Sequence, residues 1–264
     1  MVFVQKLQKV CRKNNSLLCI GLDPDPTQIP AEQDIASFCK AIIMATSPYV
    51  CAYKPNLAFF EALGDDGIKI LKDVLKSIPK HIVTIGDAKR GDIGNTAVAY
   101  AKALYDDLDF DCVTLSPYMG YDSIEPFIRY YDKGVFLLCR TSNPGAADFQ
   151  QLKTQDGRLL YEVVAQKANE WNTMGNIGLV AGATAPDELK NIRGICPDMT
   201  LLVPGVGAQG GDIEKTVRMA IDKNGLGAVI NSSRQILYAS KEEDFAQKAA
   251  IVAKALRDEI NQYR

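Results

Sequence analysis

Ile85-Gly-Asp-Ala-Lys-Arg-Gly-Asp-Ile-Gly-Asn-Thr-Ala97 is the stretch on which the reading of the chain turns. It gathers Asp87, Lys89 and Asp92 just beyond the short run Ile82–Ile85. If that run is a strand, Asp87 and Lys89 share a face, because side chains alternate with a period of two. Asp92 then falls past Gly91, in the following loop. A lysine between two carboxylates at the end of a buried strand is costly unless the charges are paired and hydrogen-bonded. The plain alternative is a solvated, charged strand-to-helix turn. The rest of the chain decides between them.

Outward from this stretch, one pattern repeats. Short apolar runs at Ser16–Asp23, Val50–Asn56, His81–Lys89, Cys112–Pro117, Gly134–Ser142, Ile177–Thr184, Thr200–Val206 and Gly227–Ser233 read as strands covered on both faces. Helical spacing fills the intervals, with Phe3–Asn15 ahead of the first strand and Glu242–Tyr263 after the last. Phe59–Ile78 reads as one helix despite Gly64 and Gly67, and Asn95–Leu108 as another with Asn95 as its cap. No linker or composition shift divides residues 1–264, so one domain is expected. The length is close to the ~250 residues typical of an eight-stranded β/α barrel. An open doubly wound sheet alternates in the same way. The polar residues decide: Asp23, Lys54, Asp87, Lys89, Ser116, Ser142, Gln209 and Arg234 lie at or just past the C-terminal ends of different strands. A closed parallel barrel gathers those ends around one mouth, whereas an open sheet scatters them. The expected fold is an α/β (β/α)8 TIM barrel with an N-terminal helix.

Composition narrows the chemistry. A net charge of −2 gives no strong pull toward nucleic acid or anionic membranes. No apolar run approaches the ~20 residues that span a bilayer, and the first residues are too short and mixed for a signal peptide. The seven cysteines are dispersed and none forms a Cys-x-x-Cys pair, which suits a reduced, cytoplasmic protein. The single histidine, His81, belongs at the entry end of its strand, opposite Asp87 and Lys89. A Ser-His-Asp or Cys-His triad is therefore not expected, and neither is a His-rich zinc site.

Gly205-Val-Gly-Ala-Gln-Gly210 fits the dinucleotide fingerprint Gly-x-Gly-x-x-Gly. That fingerprint normally opens a domain, but only one further β-α unit follows here, and its strand ends Asn231-Ser-Ser-Arg234 without an acidic residue. In a barrel this is the loop after strand 7, where phosphate sites often form with the loop after strand 8. Glycine backbone N–H groups, a following helix N-terminus and the Arg234 guanidinium suit a phosphate.

These residues resemble one known family. Asp87-Ala-Lys-Arg-Gly-Asp-Ile-Gly-Asn-Thr96 is similar to the catalytic motif of orotidine 5'-phosphate decarboxylases, in a bacterial form with Gly94 where other branches usually carry Pro. Leu22-Asp23, Lys54-Pro-Asn56, Thr141-Ser-Asn-Pro-Gly145, Pro204-Gly-Val-Gly-Ala-Gln-Gly-Gly-Asp212 and Ser233-Arg234 follow in family order, nearly spanning the chain. The shorter Asp-x-Lys-x-x-Asp pattern also resembles related barrel enzymes acting on ketose phosphates with Mg²⁺, and these are the alternative reading.

The resemblance implies decarboxylation of orotidine 5'-phosphate to UMP. It implies an alternating array of Lys54, Asp87, Lys89 and Asp92, with Asp92 and Thr96 supplied by a partner subunit of a homodimer. Lys89 would protonate pyrimidine C6, and Asp87 would lie against the substrate carboxylate. Asp23 and Lys54, with Asp92, would hold the ribose hydroxyls, and Ser142 would meet the ring. Gln209, Ser233 and Arg234 would bind the phosphate, with Thr96 near ribose or phosphate. The chemistry is coherent on physical grounds. Loss of CO₂ from a vinylic carbon leaves an in-plane carbanion, and a fixed ammonium can stabilise and then protonate it. That route calls for no metal, flavin or pyridoxal. A Schiff base needs a neutral amine, which flanking carboxylates disfavour.

Overall fold

The structure is a computed structural model that describes residues 2–206 and 212–264. Eight parallel strands close into a barrel in sequence order. They are β1 (Leu18–Leu22), β2 (Ala52–Pro55), β3 (Val83–Arg90), β4 (Cys112–Leu115), β5 (Gly134–Arg140), β6 (Ile177–Ala181), β7 (Leu201–Pro204) and β8 (Ala228–Ser232). β8 returns to β1 through the pairs Leu18↔Ile230, Cys19↔Asn231 and Ile20↔Ser232. Parallel neighbours need crossover connections, so helices cover the outside and the strands are buried on both faces. Every residue of β1, β2, β4, β6 and β8 is buried. The expected barrel is the observed one.

The outer helices present single apolar stripes. In Phe245–Gln262 the buried residues Phe245, Ala249, Ala253, Leu256 and Ile260 recur at helical spacing and pack on the barrel. The N-terminal helix Phe3–Lys13 buries Phe3, Leu7, Val10 and Cys11. It closes the barrel's N-terminal end. Phe3 meets Phe136 of β5 edge to face at 5.9 Å, and Lys6 Nζ donates to both Asp111 oxygens at 2.6–2.7 Å. The opposite end, where the strands finish, stays open.

Helices Pro186–Ile195 and Ile213–Ala220 fill two of the expected intervals between strands. Two others differ. The long helix expected over 59–78 is interrupted, with Leu57–Glu61 and Gly67–Ser77 separated by a tight turn at Gly64–Asp66 where Gly64 has φ +67°. Asn95 is not a cap. Its helix begins at Gly94, and Asp92 Oδ1 is the side chain that takes a backbone donor there, Ile93 N–H at 2.8 Å. Gly94 has φ +56°, a conformation closed to proline, whose ring fixes φ near −65°. The helix ends at Lys102 and continues as a wider π-turn over Ala103–Asp107.

The pairing of β3 with β4 positions the site. Gly86 pairs Val113, but the next pairing is Arg90 with Leu115, so β3 bulges between them. Asp87, Ala88 and Lys89 occupy that bulge. Bulges re-aim side chains and recur beside active sites.

Candidate active site

Four strands deliver charged or polar groups to the open end. β1 leads to Asp23, β2 carries Lys54, β3 carries Asp87 and Lys89, and β8 leads to Ser233 and Arg234. A cavity of about 240 Å³ lies among Asp23, Lys54, Asp87, Gly205, Asn231 and Arg234. Residues scattered widely in sequence thus meet at one mouth, as a closed barrel requires.

Asp87 is the hub. Its Oδ2 accepts Lys54 Nζ at 2.9 Å and its Oδ1 accepts Lys89 Nζ at 2.7 Å. The Lys54 side chain is 7% exposed and that of Asp87 11%, whereas that of Lys89 is 50% exposed. Burial works against the Asp87 carboxylate, but Lys54 and then Lys89 outweigh it and hold its pKa well below the usual carboxylate range. Burial likewise works against the Lys54 ammonium, yet Asp87 and Asp23 hold its pKa above the ordinary lysine value. Removing one partner of such a buried pair typically costs about 3–5 kcal/mol. Asp87 and Lys89 are in contact, as expected, but the β3 bulge and the left-handed Lys89 rather than regular alternation bring them together.

Around this hub lie buried polar atoms without protein partners among the described residues. They are Asp23 Oδ1, Asn231 Oδ1 and Ser232 Oγ. Buried polar atoms are nearly always hydrogen-bonded, so several orphans around one cavity mark where a polar ligand would dock. The backbone beside Asp23 is pinned. Tyr238 Oη donates to the Asp23 carbonyl and accepts Asp25 N–H, each at 2.8 Å. A half-exposed ammonium anchored on a buried carboxylate can stabilise negative charge as it develops nearby and then deliver a proton.

The remaining expected site residues are placed less uniformly. Ser233 and Arg234 line the cavity, with Arg234 exposed at the start of the short helix Arg234–Leu237. Ser142 lies on the same rim beyond β5, its carbonyl accepting Thr184 Oγ1 at 3.5 Å. Ser116 lies beyond β4, its N–H donating to the Arg90 carbonyl at 2.7 Å, and does not line the cavity. Asp92 is half-buried, and among the described residues it forms no ion pair with Lys54 or Lys89. Thr96 is exposed. Gln209 and most of the glycine-rich loop lie outside the described residues. His81 sits at the far end of the barrel beside Lys6 and Lys13, as expected.

Sequence reasoning missed Thr114, Asn231 and Ser232. Thr114 Oγ1 donates to Asp87 Oδ1 at 2.9 Å. Its signal was a lone hydroxyl inside the apolar run of β4. The signal for Asn231 and Ser232 was polarity at the end of a buried strand. Arg90 turns away from the mouth, pairing with Glu61 and stacking over Tyr100 at 5.2 Å.

Ile93, Val98, Tyr118, Met119 and Tyr121 are large apolar side chains exposed on the segments that flank Asp92 and Thr96 and follow β4.

Comparison with known proteins agrees with this fold. The family model described as orotidine 5'-phosphate decarboxylase / HUMPS family matches residues 16–249. An orotidine 5'-phosphate decarboxylase of Dehalococcoides mccartyi is 55% identical, covering 100% of this chain and 99% of its own. Among solved structures, Leishmania donovani OMP decarboxylase superposes with TM-score 0.86 at 41% identity, over 98% of this chain and 100% of that one. Leishmania donovani UMP synthase does so with TM-score 0.91 at 42% identity, and there this chain spans 56% of the longer protein. With barrel, sequence and superposition in agreement, the chain belongs to the orotidine 5'-phosphate decarboxylase / HUMPS family.

Proposed function

We propose that this protein decarboxylates orotidine 5'-phosphate to UMP, the last step of de novo pyrimidine nucleotide synthesis, acting as a carboxy-lyase without a cofactor. The observation that carries the reading is the Lys54–Asp87–Lys89 array beside a cavity with orphaned polar atoms. Full-length similarity to proteins named for this reaction supports it. The C6–carboxylate bond breaks, CO₂ leaves, and the electron pair stays on C6. The Lys89 ammonium stabilises that pair and donates its proton to it. Asp87 faces the departing carboxylate and anchors Lys89. Asp23 and Lys54 hold the ribose hydroxyls, Ser142 meets the ring, and Arg234, Ser233 and Gln209 bind the phosphate.

The working unit in this reading is a homodimer with shared sites, each chain contributing one catalytic domain. Asp92 and Thr96 serve the partner's mouth. Among the described residues Asp92 forms no ion pair with Lys54 or Lys89, and the exposed Ile93, Val98, Tyr118 and Tyr121 beside it suit a covered surface. A cytoplasmic location fits the seven free, buried thiols. Among the described residues no helix is long and apolar enough to cross a membrane.

The test is the ultraviolet absorbance change on mixing purified protein with orotidine 5'-phosphate in excess EDTA. Turnover at an undiminished rate is expected. Turnover only of a ketose phosphate, abolished by EDTA, would overturn the assignment in favour of the Mg²⁺-dependent members of the barrel group.

A further inference from the structure

We propose that Thr114 is a positioning residue for the reaction, one hydroxyl that fixes both the Asp87 carboxylate and the backbone of Lys89. The proposal rests on the decarboxylase reading above. Thr114 lies in β4 between the fully buried Val113 and Leu115 and is itself 1% exposed. Its Oγ1 donates to Asp87 Oδ1 at 2.9 Å and accepts the Lys89 N–H at 2.9 Å. Asp87 Oδ1 is the same oxygen that accepts the Lys89 ammonium at 2.7 Å. Thr114 therefore holds both ends of the Lys89–Asp87 contact from the neighbouring strand.

The need for such a hold comes from the backbone. The β3–β4 ladder skips from Gly86↔Val113 to Arg90↔Leu115. Lys89 falls in the gap and has no ladder partner for its N–H. It also has φ +48°, a left-handed conformation that L-residues avoid. The other non-glycine residues with positive φ, Asn15 and Asp109, lie in connections between elements; among the described residues Lys89 alone has it within a strand. Strained conformations persist where the surroundings over-determine them. Here Thr114 supplies the missing acceptor through its side chain. A hydroxyl has one proton to give and lone pairs to receive, so it can serve the carboxylate and the amide together. A valine of the same shape can do neither.

The consequence is a separation of turnover from binding. Thr114 does not line the cavity, so its variants remove no direct contact with the ligand. Thr114→Val and Thr114→Ala should lower kcat by roughly tenfold to a hundredfold, the scale of a small misplacement of a reacting group. KM and the Kd for UMP should stay within about threefold, because binding shared by ground and transition states is untouched. Thr114→Ser keeps the donor and acceptor and should restore kcat to within about threefold of wild type. Circular dichroism and thermal melts identify folded variants, and the alanine variant, which adds no bulk, stands in if valine does not fold. A folded Val or Ala variant with wild-type kcat overturns the proposal, as does a Ser variant no better than Ala. If wild-type protein does not decarboxylate orotidine 5'-phosphate at all, the functional reading fails instead, and the two failures are distinct.

Discussion

The two ends of the barrel each hold an aspartate bonded to lysine and threonine, and they are built to opposite ends. At the closed end both Asp111 carboxylate oxygens accept from Lys6, and its Oδ2 also accepts Thr84 N–H and Oγ1 at 2.9 and 3.1 Å. One cation meets one anion, and the cluster ties the N-terminal helix to β3. At the open end one aspartate, Asp87, carries two lysines, one of them half-exposed on a strained backbone, beside orphaned atoms of Asp23, Asn231 and Ser232. Cavity size points the wrong way. The space at the closed end is about 460 Å³ and that at the mouth about 240 Å³. The smaller is the candidate site because, among the described residues, its polar groups are unfinished, and unfinished polar groups are what a ligand completes.

The sharpest test of that contrast is Lys89→Ala. In the proposed mechanism it removes the charge that meets the carbanion and the proton that quenches it. We expect kcat to fall by about 10⁴-fold or more with the barrel still folded. Steady-state assays with circular dichroism as control measure this, and turnover within tenfold of wild type would sink the role.

Next in size is the loss on Asp92→Ala, which asks whether one chain's mouth is complete. On the proposed shared-site dimer, Asp92→Ala and Lys89→Ala homodimers should each be nearly inactive. Subunit exchange between them creates one site lacking both residues and one site intact, because a two-fold contact is reciprocal. Activity should return toward about half of wild type per heterodimer. No recovery in a mixture whose heterodimers are verified by native mass would mean that Asp92 serves its own chain.

A smaller effect is expected at the rim. Arg234→Ala should reduce kcat/KM roughly a hundredfold and weaken UMP binding similarly, the loss of a charge-assisted hydrogen bond worth about 1.5–3 kcal/mol. Unchanged UMP affinity by calorimetry would move the phosphate site elsewhere.

Much of this was legible in the sequence. Buried parallel strands are written as short apolar runs, so eight of them, most ending in charged or polar residues, pointed to the barrel and its mouth. Period-two alternation pointed to Asp87 and Lys89 as neighbours, although the bulge and the left-handed Lys89, not a regular strand, bring them into contact. The interruption at Gly64 was not read, because helical spacing resumes beyond it and masks the break. The β3 bulge was invisible for a deeper reason. It is a mismatch between two strands, and neither strand's own pattern records it. Thr114 was missed with it, since its hydroxyl matters only opposite that bulge. Asp92 is the mirror case: its charge was legible, but no feature of one chain states whose site it enters.

The smallest expected effect is at the closed end, where Asp111→Asn should change stability and leave catalysis alone. An amide at this position keeps one carbonyl oxygen for Thr84 but turns an NH₂ or a neutral oxygen toward the Lys6 ammonium. The pair is partly solvated, with Lys6 24% and Asp111 19% exposed, so the cost is far from that of a fully buried ion. A cost of about 1–3 kcal/mol is expected for hydrogen bonds to a charged group, which in a chain of this size lowers Tm by several degrees, at about 2–4 °C per kcal/mol. kcat/KM should stay within about twofold, because no group at this end lines the mouth cavity. Lys6→Met removes the other partner, and the double variant isolates the coupling between them. Thermal melts and assays on the four proteins test both halves of the claim. A fall in kcat without a fall in Tm would break the division of labour between the two ends, because the closed end would then be reaching the chemistry rather than holding the barrel shut.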